Sequence, residues 1–462
     1  MLIEAPITND NIKKPRLDAT LRELCRFDIH LEARDFRRPP PLFAGLFELL
    51  TGRPFETSSN AIVRFATPNA IEEKRRPLVW LRIDTRYGDL ASGSGRRIQL
   101  GDRLADLSEP VRRALSEGRA LLVLDWSHEG RPTFWTSNIR KILHGFGVPP
   151  QNTVILTQNI APPDPPIPGQ PDINIVNAHS FIPGIWRLFF GERVRKNEFD
   201  APFGFAAEAP AERSHHYVCM NYEATAARAF LAALLIRQEE PGFLSFRKDQ
   251  FKRNMPASRA FADELNDVAG FGLHPNPIGL VNDFIAVQRH HKIDADYGTP
   301  KELFAFLPTD ALSTSTLNIV TEKEMAQPDQ QRFAEKTLKA IVAGLPFVVF
   351  GNHGTIRILT DSGFDVLDDL VDHSYDEASG PFQRFSAAYE EVARYLARPP
   401  GFSAEEHARI KAAAAHNRKV FEGPLFDQWV LSPINQIAAL HPANTFAPFT
   451  VPENPSLSAG VT

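Results

Sequence analysis

The sequence predicts an α/β protein whose sheets are built from parallel strands. Short apolar runs rich in β-branched residues alternate with segments whose apolar residues recur every three or four positions. In the second half, strand, helix, strand and helix are expected in turn at residues 317–320, 331–343, 345–350 and 355–360. In the first half, strands and helices alternate over residues 78–83, 107–117, 120–126, 134–146 and 153–157. This alternation is typical of βαβ units and therefore of a parallel sheet.

Local signals predict the remaining elements. Residues 26–31 are apolar enough for a strand, and a run of prolines ending at Pro41 precedes a short helix at residues 42–50. Further elements are expected as strands at residues 173–176, 217–220 and 243–246, and as a helix at residues 225–237. Gly344 should end the helix at residues 331–343, because glycine adopts a positive φ without strain.

The length of 462 residues exceeds what one hydrophobic core serves and predicts two domains of about 200 residues each. The periodic apolar pattern lapses at residues 203–216, where Ala, Pro and Glu are frequent. We therefore expect an amino-terminal α/β domain at residues 1–210, a carboxy-terminal domain at residues 211–443 and a loose tail at residues 444–462. Roughly the first 75 residues are expected to be largely irregular.

Composition excludes several classes of protein. Hydrophobic residues make up 43% of the chain and charged residues 23%, which is typical of a soluble globular protein. The net charge of -5 argues against a general nucleic-acid binder. Cys25 and Cys219 are the only cysteines, too few for a disulfide framework or a thiolate metal cluster. The longest apolar run, residues 230–236, is too short for a membrane span, and no signal peptide is recognisable, so we expect a cytoplasmic protein.

Glu335 and Lys336 are candidate ligand contacts because they lie at the start of a predicted helix. A helix N-terminus offers unpaired N–H groups and a partial positive charge, which attract phosphate. Lys336 would add a full charge for a diphosphate, and Glu335 could accept hydrogen bonds from both hydroxyls of a ribose. The alternative is that Glu335 only stabilises the helix, since an acidic residue in a first turn does so without any ligand.

The pattern around this pair extends over much of the second half. It comprises V-T-E at residues 320–322, F-x-E-K-T-x-K at 333–339, P-F-V-V-F-G-N-x-G at 346–354, G-F at 363–364 and D-x-S-Y-D at 372–376. This succession resembles the carboxy-terminal half of a family of GT-B-like glycosyltransferases. That family is distantly similar to the α1,3-fucosyltransferases, whose nucleotide-sugar motif is also centred on T-E-K.

The resemblance implies a GT-B-like fold, with two Rossmann-like domains and a cleft between them. It implies transfer of a sugar from a nucleotide-sugar donor to a glycan, lipid or protein acceptor, without a cofactor. The donor site would lie in the second domain and comprise Asn221, Arg228, Glu322, Glu335, Lys336, Lys339, Asn352, Gly354, Tyr375 and Asp376. In such proteins a terminal helix often returns to the first domain, and residues 424–440 are the candidate for it here.

Two departures from the family pattern matter. Ala334 stands where the family has Thr, so a hydroxyl that could cap the helix or contact phosphate is missing. Asn221 and Arg228 match the family, but the arginines between them are absent and Glu223 is present. Arginine binds phosphate well because its guanidinium group can donate hydrogen bonds to two phosphate oxygens at once. The loss of these arginines favours an alternative, a non-catalytic GT-B-like module that binds a carbohydrate or a nucleotide.

In the first half, His128 and Glu129 come directly after the strand expected at residues 120–126. Ligands of open α/β sheets bind beyond the carboxyl ends of the strands, so either side chain could face a cleft. A general base there would take the proton of an acceptor hydroxyl, with Glu129 as the first candidate and His128 as the second. The alternative is a solvated polar loop.

No metal site is expected. Asp294-Ala295-Asp296 has the D-x-D spacing with which GT-A glycosyltransferases hold a divalent cation against a diphosphate. It lies beside His290 and His291 in a polar stretch and follows no clear apolar strand. The histidine pair has no partner at a recognised ligand spacing. The donor is therefore expected to bind without a metal.

Overall fold

A computed structural model describes the protein over residues 2–6, 23–31, 40–51, 55, 61–66, 76–83, 100–128, 135–161, 171–190, 201–221, 225–246, 272–286, 307–322, 325 and 330–440. The strands within these residues form two sheets, one of seven strands and one of four. Helices alternate with strands along most of the chain. The α/β class predicted from the sequence is confirmed.

The first unit is built on the seven-stranded sheet. Its strands are β1 (Leu2–Pro6), β2 (Phe27–Leu31), β3 (Ala61–Ala66), β4 (Arg76–Arg82), β5 (Leu121–Trp126), β6 (Thr153–Thr157) and β7 (Asn174–Asn177). They lie in the order β1-β3-β2-β4-β5-β6-β7. The pair β2–β3 is antiparallel and the other neighbours are parallel. Strands β4, β5 and β6 are buried along nearly their whole length, as the centre of a parallel sheet should be.

Roughly the first 75 residues, expected to be largely irregular, contain regular elements where the structure describes them. They contribute β1, β2, β3 and helix α1 (Pro41–Thr51), and the strand and helix predicted at residues 26–31 and 42–50 are both present. Strand β1 pairs with β3, so that Leu2 lies opposite Ile62. The sequence of β1, L-I-E-A-P, contains a charged residue and ends in proline, so it gives no strand signal, and the strand depends on pairing with β3 far along the chain.

Helices complete the first unit: α2 (Leu100–Asp106), α3 (Glu109–Ser116), α4 (Trp135–Gly145) and α5 (Phe181–Phe190). The helix predicted at residues 107–117 is present as α3, and it is preceded by α2, which the sequence does not predict. Pro110 lies in the first turn of α3. Its missing N–H is harmless there, but the same residue could not continue a helix from α2.

The second unit is built on the four-stranded sheet, whose neighbouring strands are all parallel. They are β8 (His215–Asn221), β9 (Gly242–Phe246), β10 (Ser315–Thr321) and β11 (Phe347–Phe350), in the order β11-β10-β8-β9. The accompanying helices are α6 (Phe205–Glu208), α7 (Ala226–Arg237), α8 (Pro277–Ala286), α9 (Thr309–Thr314), α10 (Glu335–Ala343), α11 (Thr355–Asp361), α12 (Pro381–Leu396) and α13 (Ala404–Glu422). Because the strands run in one direction, their carboxyl ends meet at one edge of the sheet.

Helix α10 begins at Glu335, later than the helix predicted at residues 331–343. Ala334 is extended, with φ -112° and ψ -173°. The main-chain N–H and carbonyl of Gln331 bond instead to Asn159 and Ile160 of the first unit. Backbone groups used in this way cannot join a helix, so contact with the first unit delays the start of α10.

The chain returns to the first unit after α13. It continues through α14 (Pro424–Phe426), a π-helical turn (Asp427–Leu431) and α15 (Ser432–Leu440). Trp186 of α5 donates from Nε1 to the carbonyl of Glu422 over 3.3 Å, and its ring centroid lies 5.2 Å from that of Phe426. The predicted return of residues 424–440 to the first domain is confirmed.

The proposed division of the chain at residue 210 falls between the two sheets, since β7 ends at Asn177 and β8 begins at His215. The limits 1–210 and 211–443 stay predictions, and the tail at residues 444–462 lies outside the described residues. Among the described helices, none has both the length and the apolar character that crossing a bilayer requires.

Candidate functional site

The candidate site lies at the carboxyl edge of the second sheet. Strand β8 ends at Asn221 and β10 at Thr321, and the hydroxyl of Thr321 donates to Oδ1 of Asn221 over 2.6 Å. Nδ2 of Asn221 donates to Sγ of Cys219 over 3.3 Å. All three side chains are buried, so Asn221 ties two strand ends together inside the sheet. The crevice beyond this edge is the usual ligand site of an open α/β sheet.

Arg228 lies in the first turn of α7, behind the ends of β8 and β10. It is 1% exposed, and its Nη2 group donates to the carbonyl of Thr321 over 2.8 Å. The family pattern implies a phosphate contact for Arg228, but this hydrogen bond directs the guanidinium to the main chain. In this structure Arg228 holds the end of β10.

Glu322, the residue after β10, holds the start of α10. Its Oε1 atom accepts hydrogen bonds from the N–H of Ala334 (3.0 Å) and the hydroxyl of Thr337 (2.5 Å), and the residue is 2% exposed. Ala334 has no side chain that could cap α10, and the carboxylate of Glu322 supplies the missing acceptor. A negative charge here also interacts favourably with the helix dipole. The structure thus explains Glu322 without a ligand.

Glu335 and Lys336 are the first two residues of α10, and they pair with each other. Nζ of Lys336 lies 2.9 Å from Oε1 of Glu335, and the two side chains are 22% and 21% exposed. Consecutive residues of a helix do not normally face each other, so this contact requires the two side chains to bend toward one another. The carboxylate of Glu335 also accepts a hydrogen bond from its own N–H.

The carboxylate of Glu335 is ionised throughout the physiological pH range. Burial by itself would raise its pKa, but the ammonium groups of Lys336 and Lys339 and the hydrogen bonds from Lys336 and its own N–H hold the pKa at about 2. Lys339 lies one turn further along α10 and is buried. A charged, partly exposed carboxylate between two lysines at a helix start can accept hydroxyl hydrogen bonds beside a phosphate group.

The loop after β11 forms the neighbouring part of the edge. Asn352 is buried, and its carbonyl accepts a hydrogen bond from the hydroxyl of Thr355 over 2.9 Å. Gly354 has φ +76° directly before α11, a conformation that a residue with a side chain adopts only under strain. Gly354 of the G-N-x-G pattern therefore serves the turn that leads from β11 into α11.

His353 and Arg357 belong to this loop and to α11, and sequence reasoning missed both. They line an open cleft of about 610 Å³. Nδ1 of His353 lies 3.4 Å from Nε2 of Gln331, and Nη2 of Arg357 lies 3.5 Å from Oε1 of Gln331. Hydrogen bonds of this length are weak, so a ligand could replace them at little cost. In the sequence His353 is the variable residue of the motif and carries no signal.

Tyr375 and Asp376 serve the fold in the described geometry. The N–H of Val349 donates to the hydroxyl of Tyr375 over 2.9 Å, which covers the free edge of β11. Oδ2 of Asp376 accepts from the N–H of Arg357 over 3.1 Å and caps α11. Burial raises the pKa of Asp376, although its backbone hydrogen bonds act in the opposite direction. These contacts explain Tyr375 and Asp376 of the D-x-S-Y-D pattern without a ligand.

Residues 330–334 connect the candidate site to the first unit. The N–H of Gln331 donates to Oδ1 of Asn159 over 2.8 Å, and its carbonyl accepts from the N–H of Ile160 over 2.9 Å. Nη1 of Arg332 donates to Oε1 of Gln158 over 2.8 Å. Gln158 and Asn159 directly follow β6, so the carboxyl ends of the two sheets approach each other here. In the sequence, this contact is indicated only by the two residues with amide side chains, Gln158 and Asn159, that follow the strand at residues 153–157.

The loop that carries His128 and Glu129 begins at the same junction. Nε2 of Gln158 donates to the carbonyl of Ser127 over 2.8 Å. Through Gln158, the end of β5 is therefore linked to Arg332 and to the segment that leads into α10. His128 is half-buried, and Glu129 lies outside the described residues.

The remaining sequence candidates are His128, Glu223 and the segment Asp294-Ala295-Asp296. Nε2 of His128 lies 3.4 Å from Nη2 of Arg82. Glu223 and the segment Asp294-Ala295-Asp296 lie outside the part of the chain that the structure describes. Within the described part, no three His, Cys, Asp or Glu side chains are grouped so that they could hold a metal ion.

Comparison with known proteins yields one structural similarity. No family model matches the chain, and no curated protein matches it. The chain is similar to the crystal structure of an α,α-trehalose-phosphate synthase (UDP-forming) from Burkholderia vietnamiensis. The identity is 12%, the match covers 79% of this chain and 73% of that chain, and the TM-score is 0.36. This similarity is too low to define an activity or a substrate.

The architecture itself is GT-B-like. Two Rossmann-like units carry sheets whose carboxyl ends meet at residues 158–160 and 331–332. The last helices of the chain return to the first unit. The fold class expected from the sequence is therefore present.

The capping role of Glu322 leads to a prediction about stability. Glu322→Ala should lower the free energy of unfolding by about 2–4 kcal/mol, because two buried hydrogen bonds and the cap of α10 are lost. Thr337→Val removes only one of these bonds and should cost about 1 kcal/mol. Urea denaturation measures both changes. As a control, Glu405→Ala in the first turn of α13 should change stability by less than about 0.5 kcal/mol. An effect of Glu322→Ala no larger than that of Thr337→Val would contradict the capping role.

Proposed function

We propose that the protein is a glycosyltransferase of hexosyl or fucosyl type, acting in the cytoplasm. It would transfer a sugar from a nucleotide-sugar donor to a glycan, lipid or protein acceptor. The observation that carries this proposal is the half-buried pair of Glu335 and Lys336 at the start of α10, at the carboxyl edge of a parallel sheet. The donor would bind on the second unit and the acceptor on the first.

On donor binding, Lys336 and Glu335 would give up their contact with each other and bind the donor instead. The diphosphate would take the ammonium group of Lys336 and the positive end of the helix dipole. The carboxylate of Glu335, released from Lys336, would accept hydrogen bonds from the ribose hydroxyls. Lys339 would help to keep that carboxylate ionised. His353 and Arg357 lie at the neighbouring loop, where only weak bonds to Gln331 would have to be broken.

On the acceptor side, the link from Ser127 through Gln158 to Arg332 supports the loop after β5 as the place of the base. We assign the role of base to Glu129, with His128 as the alternative. The base would take the proton of the acceptor hydroxyl as its oxygen attacks the anomeric carbon and the nucleoside diphosphate leaves.

A non-catalytic GT-B-like module that binds a carbohydrate or a nucleotide is the second candidate. It is favoured by a shortage of positive charge near the donor site. The arginines that the family has between Asn221 and Arg228 are absent, and Arg228 itself donates to the carbonyl of Thr321. Less of the diphosphate charge would then be compensated. The two candidates differ in turnover, because a module binds a nucleotide sugar without cleaving it. Thermal shifts with a panel of nucleotide diphosphates and nucleotide sugars, followed by hydrolysis assays on each hit, separate them.

Substitutions of the pair test the donor site directly. Glu335→Gln and Lys336→Met should each weaken nucleotide binding by about 1.5–3 kcal/mol, the range for hydrogen bonds to charged groups. Calorimetry with the nucleotide diphosphates that bind in the panel measures the effect. Glu405→Gln is the matched control, because Glu405 lies in the first turn of another helix, α13, and should leave affinity unchanged. Unchanged affinity in a folded Glu335→Gln variant would remove the site.

The same variant has a defined pH dependence. The pKa of Glu335 is held at about 2, below the ordinary value of 4.5, so its charge persists below pH 4.5 and is lost only as the pH falls toward 2. The ratio of wild-type to Glu335→Gln affinity should therefore be the same at about pH 4 and about pH 8, whereas a glutamate of ordinary pKa would be mostly protonated at about pH 4. A ratio that approaches one at the lower pH would mean that Glu335 is not held ionised.

Donor binding should not depend on a metal. The positive charge for the diphosphate would come from Lys336, Lys339 and the start of α10. Excess chelator should therefore leave nucleotide affinity and turnover intact. Activity that disappears with chelator and returns with Mn²⁺ or Mg²⁺ would contradict this expectation and direct attention to Asp294 and Asp296.

The base is tested by removing the carboxylate without changing the shape of the side chain. Glu129→Gln should lower turnover by roughly 10²–10⁴-fold, the usual contribution of a general base, while nucleotide affinity stays the same. His128→Gln is measured in parallel. Full turnover of Glu129→Gln with the native acceptor would exclude Glu129, and a loss confined to His128→Gln would transfer the role to the histidine.

A further inference from the structure

One peptide group is held by both units at once. It joins Phe333 to Ala334, directly before α10. Its carbonyl oxygen accepts a hydrogen bond from Nε2 of His179 in the first unit over 3.0 Å. Its N–H donates to Oε1 of Glu322 in the second unit, also over 3.0 Å. The orientation of this peptide therefore depends on both sheets.

His179 is itself fixed from several sides. It follows β7, is fully buried, and its ring stacks on that of Phe333 with centroids 4.6 Å apart and an angle of 19°. The main-chain N–H of His179 donates to the main-chain carbonyl of Trp429 in the π-helical turn over 3.2 Å. Burial lowers the pKa of His179 to about 3, so the ring is neutral at neutral pH. Because a carbonyl only accepts, the single ring proton must be on Nε2.

The residue next to His179 reaches the acceptor side. The N–H of Ser180 donates to the carbonyl of Ser127 over 2.9 Å, and Ser127 directly precedes His128. Two adjacent residues, His179 and Ser180, thus connect the loop after β5 with the peptide before α10. A shift at one end of this connection would displace the other.

We propose that His179 is a positioning residue that sets the start of α10 relative to the loop after β5 through its hydrogen bond to Phe333. The inference rests on the proposed function in one respect, the assignment of Glu335 and Lys336 as donor contacts. Both residues directly follow the held peptide, so its orientation decides where their side chains lie. In a group-transfer site, a misplacement of about 1 Å can lower the rate on the order of a hundredfold.

Three variants isolate this hydrogen bond. His179→Phe keeps an aromatic ring against Phe333 and removes the donor. His179→Gln keeps an N–H donor near the position of Nε2 and removes the ring. Trp186→Phe is the matched control, because it also removes a hydrogen bond from an aromatic N–H of the first unit, but to the carbonyl of Glu422 at the end of α13.

Hydrogen exchange of the amides of residues 334–338 in the unliganded protein is the first measurement. His179→Phe should speed exchange there by about tenfold, the effect of losing one buried hydrogen bond. Trp186→Phe should leave these amides unchanged even if the whole protein becomes less stable. His179→Gln should stay within about threefold of the wild type.

Nucleotide affinity, with the nucleotide diphosphates that bind the wild type, is the second measurement. It should fall by about tenfold in His179→Phe and recover in His179→Gln. Equal exchange at residues 334–338 in His179→Phe and Trp186→Phe would overturn the proposal, as would a folded His179→Gln variant that restores neither exchange nor affinity. A wild-type protein that binds no nucleotide would defeat only the proposed function, because the exchange measurement needs no ligand.

Discussion

The start of α10 depends on a carboxylate that another element supplies. Glu322, after the end of β10, accepts the N–H that precedes the helix and a hydroxyl from its first turn. The same interaction recurs at two other helices, where Asp125 of β5 accepts from the N–H of Leu42 in α1 and Asp376 accepts from the N–H of Arg357 in α11. Helix N–H groups need acceptors, and none of the residues that precede these helices has a capping side chain. Each carboxylate therefore joins a helix to the rest of its unit, and packing of the sheet decides where the helix begins.

This arrangement limits the chemistry of the candidate site. Two carboxylates, Glu322 and Glu335, already lie at the start of α10, and the charges of Lys336 and Lys339 offset them. In the proposed donor site a diphosphate would be a third anion, and Lys336 would change partner to bind it. The half-buried ion pair of Glu335 and Lys336 stabilises the start of α10 when no ligand is bound. Both of its charged groups could also interact with a ligand. The weak bonds that link Gln331 to the neighbouring loop have the same property, since little is lost when a ligand replaces them.

The two units meet where the carboxyl ends of their sheets approach each other. Hydrogen bonds of Gln331 and Arg332 with residues 158–160 join the segment before α10 to the end of β6. His179 adds a contact to the next peptide and, through the carbonyl of Trp429, to the terminal segment that returns from the second unit. Transfer of a group between two bound substrates requires that their sites keep a defined separation. A junction made of several hydrogen bonds meets this requirement better than one exposed contact would.

The sequence by itself determined the local elements of this protein, and the tertiary structure decided how they are used. Strand β6 occupies the predicted residues, Gly344 ends α10 with φ +73°, and the capping box of Ser403 and Glu406 starts α13, because each depends on neighbours within a few positions. Strand β1 has no such signal, since its pairing with β3 connects distant parts of the chain. Residues 331–334 have the apolar period of a helix, yet bonds to the first unit keep them out of α10. Glu322 belongs to the sequence motif, but only the folded chain shows that its carboxylate caps a helix, because the two groups that donate to it, the N–H of Ala334 and the hydroxyl of Thr337, belong to a different part of the chain.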